Sequence, residues 1–264
     1  MIDYHIHTAR CGHAVGAMRD YVEHAIKLQL AEIGFADHLP LLTGYDPSLT
    51  MSMDELEGYI SEVQDLKKEY PEISIKLGIE ADYLPGIEDR TANLLNAYDF
   101  DYVLGSIHFI NGWGFDDSRH IEGYEERGID DVYRSYYALV ADAASSGLFD
   151  IIGHLDLVKK YNFRPQSDNA QFAADAIKAI SAAGVCIEIN TAGLRKPVGE
   201  IYPSKEILTT CREAGVGITF GSDAHMPDEV GKDLDRAKEL AVSAGYNQSA
   251  AFSKRKREFI SFSK

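Results

Sequence analysis

Seven short apolar runs, six of them closing on a histidine or an acidic residue, constrain this chain more than any other feature. The first is Asp3-Tyr4-His5-Ile6-His7, whose period-two alternation in a strand turns Asp3, His5 and His7 to one face and Tyr4 and Ile6 to the other. Ile33 to Ala36 then ends at Asp37-His38, Ile73 to Ile79 runs into Glu80, and Asp101 to Ser106 is followed by His108. Phe149 to Gly153 ends at His154, Val185 to Ile189 carries no histidine, and Gly217 to Gly221 ends at Asp223 and His225.

Helical spacing fills the gaps. Met18 to Leu30, Ile87 to Tyr98, Asp130 to Ser146 and Lys205 to Glu213 read as helices, as does Ser167 to Ala183 with Gly184 as its C-cap. Ser52-Met53-Asp54-Glu55 is a capping-box signature for a helix reaching about Tyr70, where Pro71 stops it. Strands alternating with helices predict βα units, in a doubly wound sheet or a barrel. In an open sheet only the strands near the switch point share a crevice, whereas in a barrel every C-terminal end meets at one mouth. Six strands carrying ligand-type residues at that end favour the α/β class with a distorted (β/α)7 barrel, the site lying at the C-terminal ends of the strands.

A length of 264 residues with 45% hydrophobic content suffices for one such domain, 1–264. The net charge of −16 repels a phosphodiester backbone, so nucleic acid is not expected as a partner, and Lys254-Arg255-Lys256-Arg257 reads as a solvated face. No apolar run approaches a membrane span, Met1-Ile2-Asp3 lacks a secretory start, and Cys11, Cys186 and Cys211 read as small buried hydrophobes in a reducing compartment. A cytoplasmic protein without a membrane partner is expected; oligomeric state is left open.

Of nine histidines, His24 and His120 fall in a helix and a loop and read as structural. The other seven, His5, His7, His13, His38, His108, His154 and His225, join Glu80 and Asp223 at or beyond strand ends. Burying so many polar groups together is costly unless divalent cations compensate. At three or four protein ligands per ion, nine ligands imply two or three divalent metals, with Glu80 the natural bridge.

The chain resembles the PHP (polymerase and histidinol phosphatase) family of metal-dependent phosphoesterases, along nearly its whole length. The motifs are His5-x-His7, Cys11-Gly12-His13, Asp37-His38, Gly78-Ile79-Glu80, Ser106-Ile107-His108-Phe109, Gly153-His154-Leu155-Asp156 and Gly221-Ser222-Asp223-Ala224-His225. Tyr161 to Pro165 and Glu188 to Lys196 resemble the family's monofunctional histidinol-phosphate phosphatases. The resemblance implies that His5, His7, Glu80 and Asp223 hold one metal, that Glu80 bridges to a second on His108 and His154, and that His13, His38 and His225 take a third. Asp3, Asp37 and Asp156 would accept imidazole N–H groups. Zinc, manganese, iron or cobalt suit such a set.

The implied activity is hydrolysis of L-histidinol phosphate, a small phosphomonoester of histidine biosynthesis, by a metal-bridged hydroxide attacking phosphorus in line. Asp223 or a neighbouring residue of the ligand set is the candidate proton donor to the leaving group. Arg195 and Arg164 are candidates to bind phosphate, with Lys196 a third, because a guanidinium fork matches phosphate oxygens. The loops Leu39 to Met51 and Phe109 to Gly128, the latter carrying Trp113, Phe115 and Tyr124, are expected to choose the substrate; their acids Asp46, Asp116, Asp117 and Glu122 read either as acceptors for its amine or imidazole or as solvated loop charge. Alternatives are another PHP activity, such as a phosphotyrosine or nucleotide phosphatase or an exonuclease, and a metal-binding module without turnover.

Overall fold

A doubly wound sheet reverses its strand order once, whereas a barrel keeps chain order until the last strand meets the first. The computed structural model, which describes residues 1–44, 46–167 and 169–262, does the latter. Strands β1 (Ile2–Ile6), β2 (Glu32–Phe35), β3 (Ser74–Asp82), β4 (Tyr102–Ser106), β5 (Ile151–Ile152), β6 (Cys186–Asn190) and β7 (Ile218–Gly221) lie side by side in that order. All neighbours are parallel. Closure comes just past the ends of β1 and β7: the His7 N–H donates to Ala224 O at 2.9 Å and the Ala224 N–H to His5 O at 3.1 Å. This is the distorted seven-stranded barrel the sequence predicts.

Helices follow the strands much as their spacing foretells. Ser52 caps Met53–Glu69 with the predicted box, its N–H donating to Glu55 Oε2 at 2.9 Å. Glu88–Leu95, Ile129–Ser145 and Asn169–Ala183 match their predicted ranges to within a few residues, and Gly184 supplies the positive φ (+69°) that ends the last. Asp168, inside that predicted range, lies outside the described residues. No helix among the described residues is long and apolar enough to cross a membrane.

At the other end of the barrel from the site, Tyr4 stacks on Tyr102 with ring centroids 4.6 Å apart, and Phe252 leans on both. Gly34 and Gly78 make room for this: a Cβ there would lie 2.1 and 2.3 Å from Tyr102 atoms. Phe252 belongs to an antiparallel hairpin, β8 (Gln248–Ser253) and β9 (Lys256–Ser261), which the sequence reading missed along with helix Leu234–Ser243. In β8 the buried residues are Ser249, Ala250, Ala251 and Phe252, mostly too small to mark a strand, and β9 is exposed throughout, so neither alternates.

In the hairpin Lys254, Lys256 and Arg257 are exposed, in keeping with the solvated face the sequence predicts, while Arg255 is half-buried and anchored to the barrel. Arg255 Nε donates to Asp150 Oδ2 and its Nη2 to Leu148 O, both at 2.7 Å, while Arg257 Nη1 donates to Gly184 O at 2.7 Å. Asp101 joins hairpin to barrel, accepting from Lys67 Nζ at 2.8 Å, Leu77 N at 2.9 Å and Lys254 N at 3.2 Å. Burial raises its pKa, but Lys67 and the backbone donors outweigh burial and hold the carboxyl below its usual value. A depressed carboxylate contributes stability above the unfolded pKa and loses it as pH falls through the folded value. Asp101→Asn is therefore expected to lower stability by about 2 kcal/mol at pH 7, the difference vanishing in acid, with turnover unchanged. Urea unfolding at pH 7 and near pH 2 measures this, and equal losses at both would refute it.

Candidate metal centre

Every strand end that carries a candidate ligand opens into one cavity of about 520 Å³. Glu80, near the end of β3, is its floor and its hub. Its Oε2 lies 3.3 Å from His5 Nε2, 3.5 Å from His7 Nε2 and 3.1 Å from His38 Nδ1. Its Oε1 lies 3.1 Å from His154 Nε2 and 3.7 Å from His108 Nε2, and accepts from Ser106 Oγ at 2.6 Å. Asp223 Oδ1 stands 3.3 Å from His7 Nε2. On the far side the His7 and His225 rings stack with centroids 4.1 Å apart, and those of His13 and His225 are 4.8 Å apart.

Local backbone aims these groups. Gly12 at φ +81° swings His13 over the mouth so closely that a Cβ would lie 1.8 Å from Pro47 O, and His13 Nδ1 sits 2.9 Å from Cys11 O. His154 (φ +45°) and Asp223 (φ +55°) occupy the left-handed region just past β5 and β7, a strained conformation that concentrates at functional sites.

The donor set fits divalent cations. Glu80 Oε2, His5 Nε2, His7 Nδ1 and His154 Nδ1 are buried without a hydrogen-bond partner among the described residues. Orphaned buried groups of this kind are costly and call for a ligand. Ligand atoms of His5, His7 and Asp223, of His5, Glu80 and His154, and of His7, His38 and His225 each lie within 4.8 Å of one another. Nitrogen and carboxylate oxygen suit borderline ions such as zinc. The Cys11 thiol, read from sequence as a buried hydrophobe, also comes within that range of His13 and His225.

Charge is shared unequally. Burial disfavours charge on His5 and His7, but Glu188, Glu80 and Asp223 around the first, and Asp223 and Asp37 around the second, raise both well above the ordinary imidazole value. For His108, Asp82 and Asp116 overcome burial and push it up to about 10. Burial prevails at His38 and His225, which fall well below the usual range. Against burial, the surrounding histidines hold Glu80 and Asp223 well below ordinary carboxyl values.

The groups that orient the imidazoles differ from those expected. Asp3 accepts from Ser222 N at 2.8 Å, Ser222 Oγ at 2.5 Å and Gly231 N at 2.8 Å, and so ties β1 to the loop after β7 instead of holding a ring. Asp156 pairs with Lys159 Nζ at 2.9 Å and Ser204 N at 2.8 Å. Asp37 alone approaches a ring, 3.4 Å from His7 Nδ1 but out of line for a hydrogen bond. The orienting carboxylates are Glu188, which accepts from His5 Nδ1 at 2.8 Å, and Asp82, which accepts from His108 Nδ1 at 2.9 Å. Strand alternation carried that signal: Asp82 shares a face of β3 with Glu80, and Glu188 shares a face of β6 with Asn190, whose Nδ2 lies 3.4 Å from Asp223 Oδ2.

Of the phosphate candidates, Arg195 and Lys196 line the cavity. Arg195 is braced by Glu229 Oε1 at 2.9 Å and Ser222 O at 2.8 Å, while its buried Nη1 has no partner among the described residues. Arg164 does not reach the cavity; Glu200 Oε1 holds it at 2.7 Å. Lys160, not singled out from sequence, does line it, with Nζ 3.2 Å from Asp116 Oδ2. Asp46, Asp116 and Asp117 stand at the rim as expected, as does His120, which the sequence reading had left aside, whereas Glu122 does not. Trp113, Phe115 and Tyr124 are core residues beneath that loop.

A seven-stranded barrel with histidines and carboxylates gathered at its C-terminal mouth defines a class, and the chain belongs to it: the PHP domain family matches residues 3–192. Within the family it is 41% identical over 247 residues to the probable histidinol-phosphatase of Deinococcus radiodurans, covering 93% of this chain and 94% of that protein. It is 33% identical over 257 residues to the histidinol-phosphatase of Bacillus subtilis, covering 87% and 95%. Among solved structures it is similar to histidinol phosphate phosphatase (HISK) of Lactococcus lactis complexed with zinc, L-histidinol and phosphate. That match has a TM-score of 0.83 at 25% identity, over 97% of this chain and 98% of that one.

Proposed function

We infer that this chain hydrolyses L-histidinol phosphate to L-histidinol and inorganic phosphate. The observation that carries the reading is the set of imidazoles around Glu80 beneath a cavity walled by Arg195, Lys196 and Lys160. The similarity to relatives named histidinol-phosphatase supports the substrate. His5, His7, Glu80 and Asp223 would hold one cation, Glu80, His108 and His154 a second, and His13, His38 and His225 a third. When bound, such ions acidify solvent toward neutral pH and offset phosphate charge. Zinc has the support of the Lactococcus complex.

The chain's own residues do the remaining work. Arg195, fixed by Glu229 and two carbonyls, presents its free Nη1 to a phosphoryl oxygen without first having to be ordered. Glu188 and Asp82 fix the tautomers of His5 and His108 by accepting hydrogen bonds from their Nδ1–H groups, which leaves each Nε2 lone pair turned toward Glu80. Asp223, held ionised, takes a proton from attacking solvent and returns it to the leaving alkoxide. The rim carboxylates Asp46 and Asp117 would receive the cationic amine of histidinol.

Steady-state phosphate release tests this. The kcat/KM for L-histidinol phosphate is expected to exceed that for generic phosphomonoesters, including phosphotyrosine and nucleotides, by about a hundredfold, the upper range of one good charge-assisted contact. Equal values across the panel would overturn the substrate assignment.

A further inference from the structure

Tyr202 stands in the wall of the cavity, 1% exposed, and its buried hydroxyl has no hydrogen-bond partner among the described residues. Tyrosine hydroxyls inside proteins ordinarily find an acceptor, so an orphan on a residue that lines a binding cavity asks for an explanation. The ring cannot readily turn away. Tyr202 N donates to Asn190 O at 3.0 Å and Asn190 N to Tyr202 O at 2.7 Å, which clasps its backbone to the end of β6. Gly193 lies against the ring so tightly that a Cβ there would sit 2.9 Å from it, and the Lys159 ammonium lies 5.5 Å from the ring centroid.

The same wall carries the second orphan donor. Gly193 and Arg195 belong to one 3-10 turn, Ala192–Arg195, and Arg195 Nη1 is also buried without a partner. Two donors lacking acceptors, on adjoining segments and on residues that both line the cavity, are what half of an anion site would supply. The missing half is an acceptor oxygen supplied by a ligand.

We propose that the Tyr202 hydroxyl donates a hydrogen bond to a phosphoryl oxygen of the substrate, completing with Arg195 the part of the phosphate site built from protein donors. It is a binding group that keeps its proton. Burial and the carboxylates of Asp156, Asp223 and Asp116 raise its pKa, so the phenol gives a hydrogen bond and is not the acid that protonates the leaving group. This assignment rests on the phosphomonoesterase reading above and adds to it a residue that neither motif nor spacing singled out.

Tyr202→Phe removes one oxygen and leaves the packing intact. The inhibition constant of inorganic phosphate is expected to rise, and kcat/KM to fall, by about tenfold to a hundredfold, the range for a hydrogen bond to a charged group. Bound metal by elemental analysis and the Tm should stay at the wild-type values, because the hydroxyl holds nothing in the resting protein. An unchanged phosphate inhibition constant overturns the proposal, as does a lowered Tm with unchanged kinetics, which would mark a structural hydroxyl. Should the wild-type protein turn over some other phosphomonoester and not L-histidinol phosphate, the substrate reading fails alone. The phosphate inhibition constants of the two proteins, measured on that ester, still decide the role of Tyr202.

Discussion

Glu80→Gln is expected to cut turnover by about a thousandfold while the barrel stays folded. The amide keeps the size of the side chain but removes the charge on which five imidazoles converge, two of them 3.1 Å from its oxygens. An amide also presents an NH2 where a cation or a second imidazole needs an oxygen lone pair. Lewis-acid stabilisation contributes several kcal/mol to such reactions, and each 1.4 kcal/mol or so is tenfold in rate, which sets the scale. The loss should appear with a fall in bound metal by elemental analysis and an unaltered far-UV circular dichroism spectrum. Wild-type turnover in the variant would mean that the nine side chains gathered at the mouth do not work through Glu80.

The mouth of the barrel was legible because one geometric rule, the convergence of parallel strand ends, converts scattered polar residues into a single site. His38, His154 and Asp223 needed only a strand to end before them. His13 needed more: its place depends on the left-handed Gly12 and the contact with Pro47, which spacing alone does not encode. Glu188 and Asp82 were visible by alternation, yet a carboxylate that serves a ring nitrogen looks in sequence like any other acid. Asp3 and Asp156 show the converse, since buried acids beside a site also hold loops and lysines. Arg164 misled because a basic residue just past a strand end has no mark to say that Glu200 will claim it. Tyr202 was invisible for a different reason: an aromatic next to proline reads as core until its hydroxyl is seen to lack a partner.

Stripping the protein with a chelator should abolish turnover, and reloading it with zinc should restore activity with an affinity that climbs as pH is raised. Imidazole binds a cation only through a lone pair, so a proton held by the metal-free site competes with the ion. Carboxylates raise His5, His7 and His108 far enough that they hold protons near neutrality, the last up to about 10, whereas burial keeps His38 and His225 neutral. Each proton displaced makes binding about tenfold tighter per pH unit while pH lies below the pKa of its imidazole. The cations proposed for His5, His7, Glu80 and Asp223, and for Glu80, His108 and His154, should therefore load steeply with pH. Of the third set only His13 is raised, so that site should respond less. Zinc titrations across pH 6 to 8, with a weak buffer and an indicator to count released protons, separate the two behaviours. Bound ions also stabilise the folded state by mass action, so the Tm should rise with loading along the same pH course. Affinities flat across that range, with no proton release, would contradict the assignment of His5, His7 and His108 as ligands.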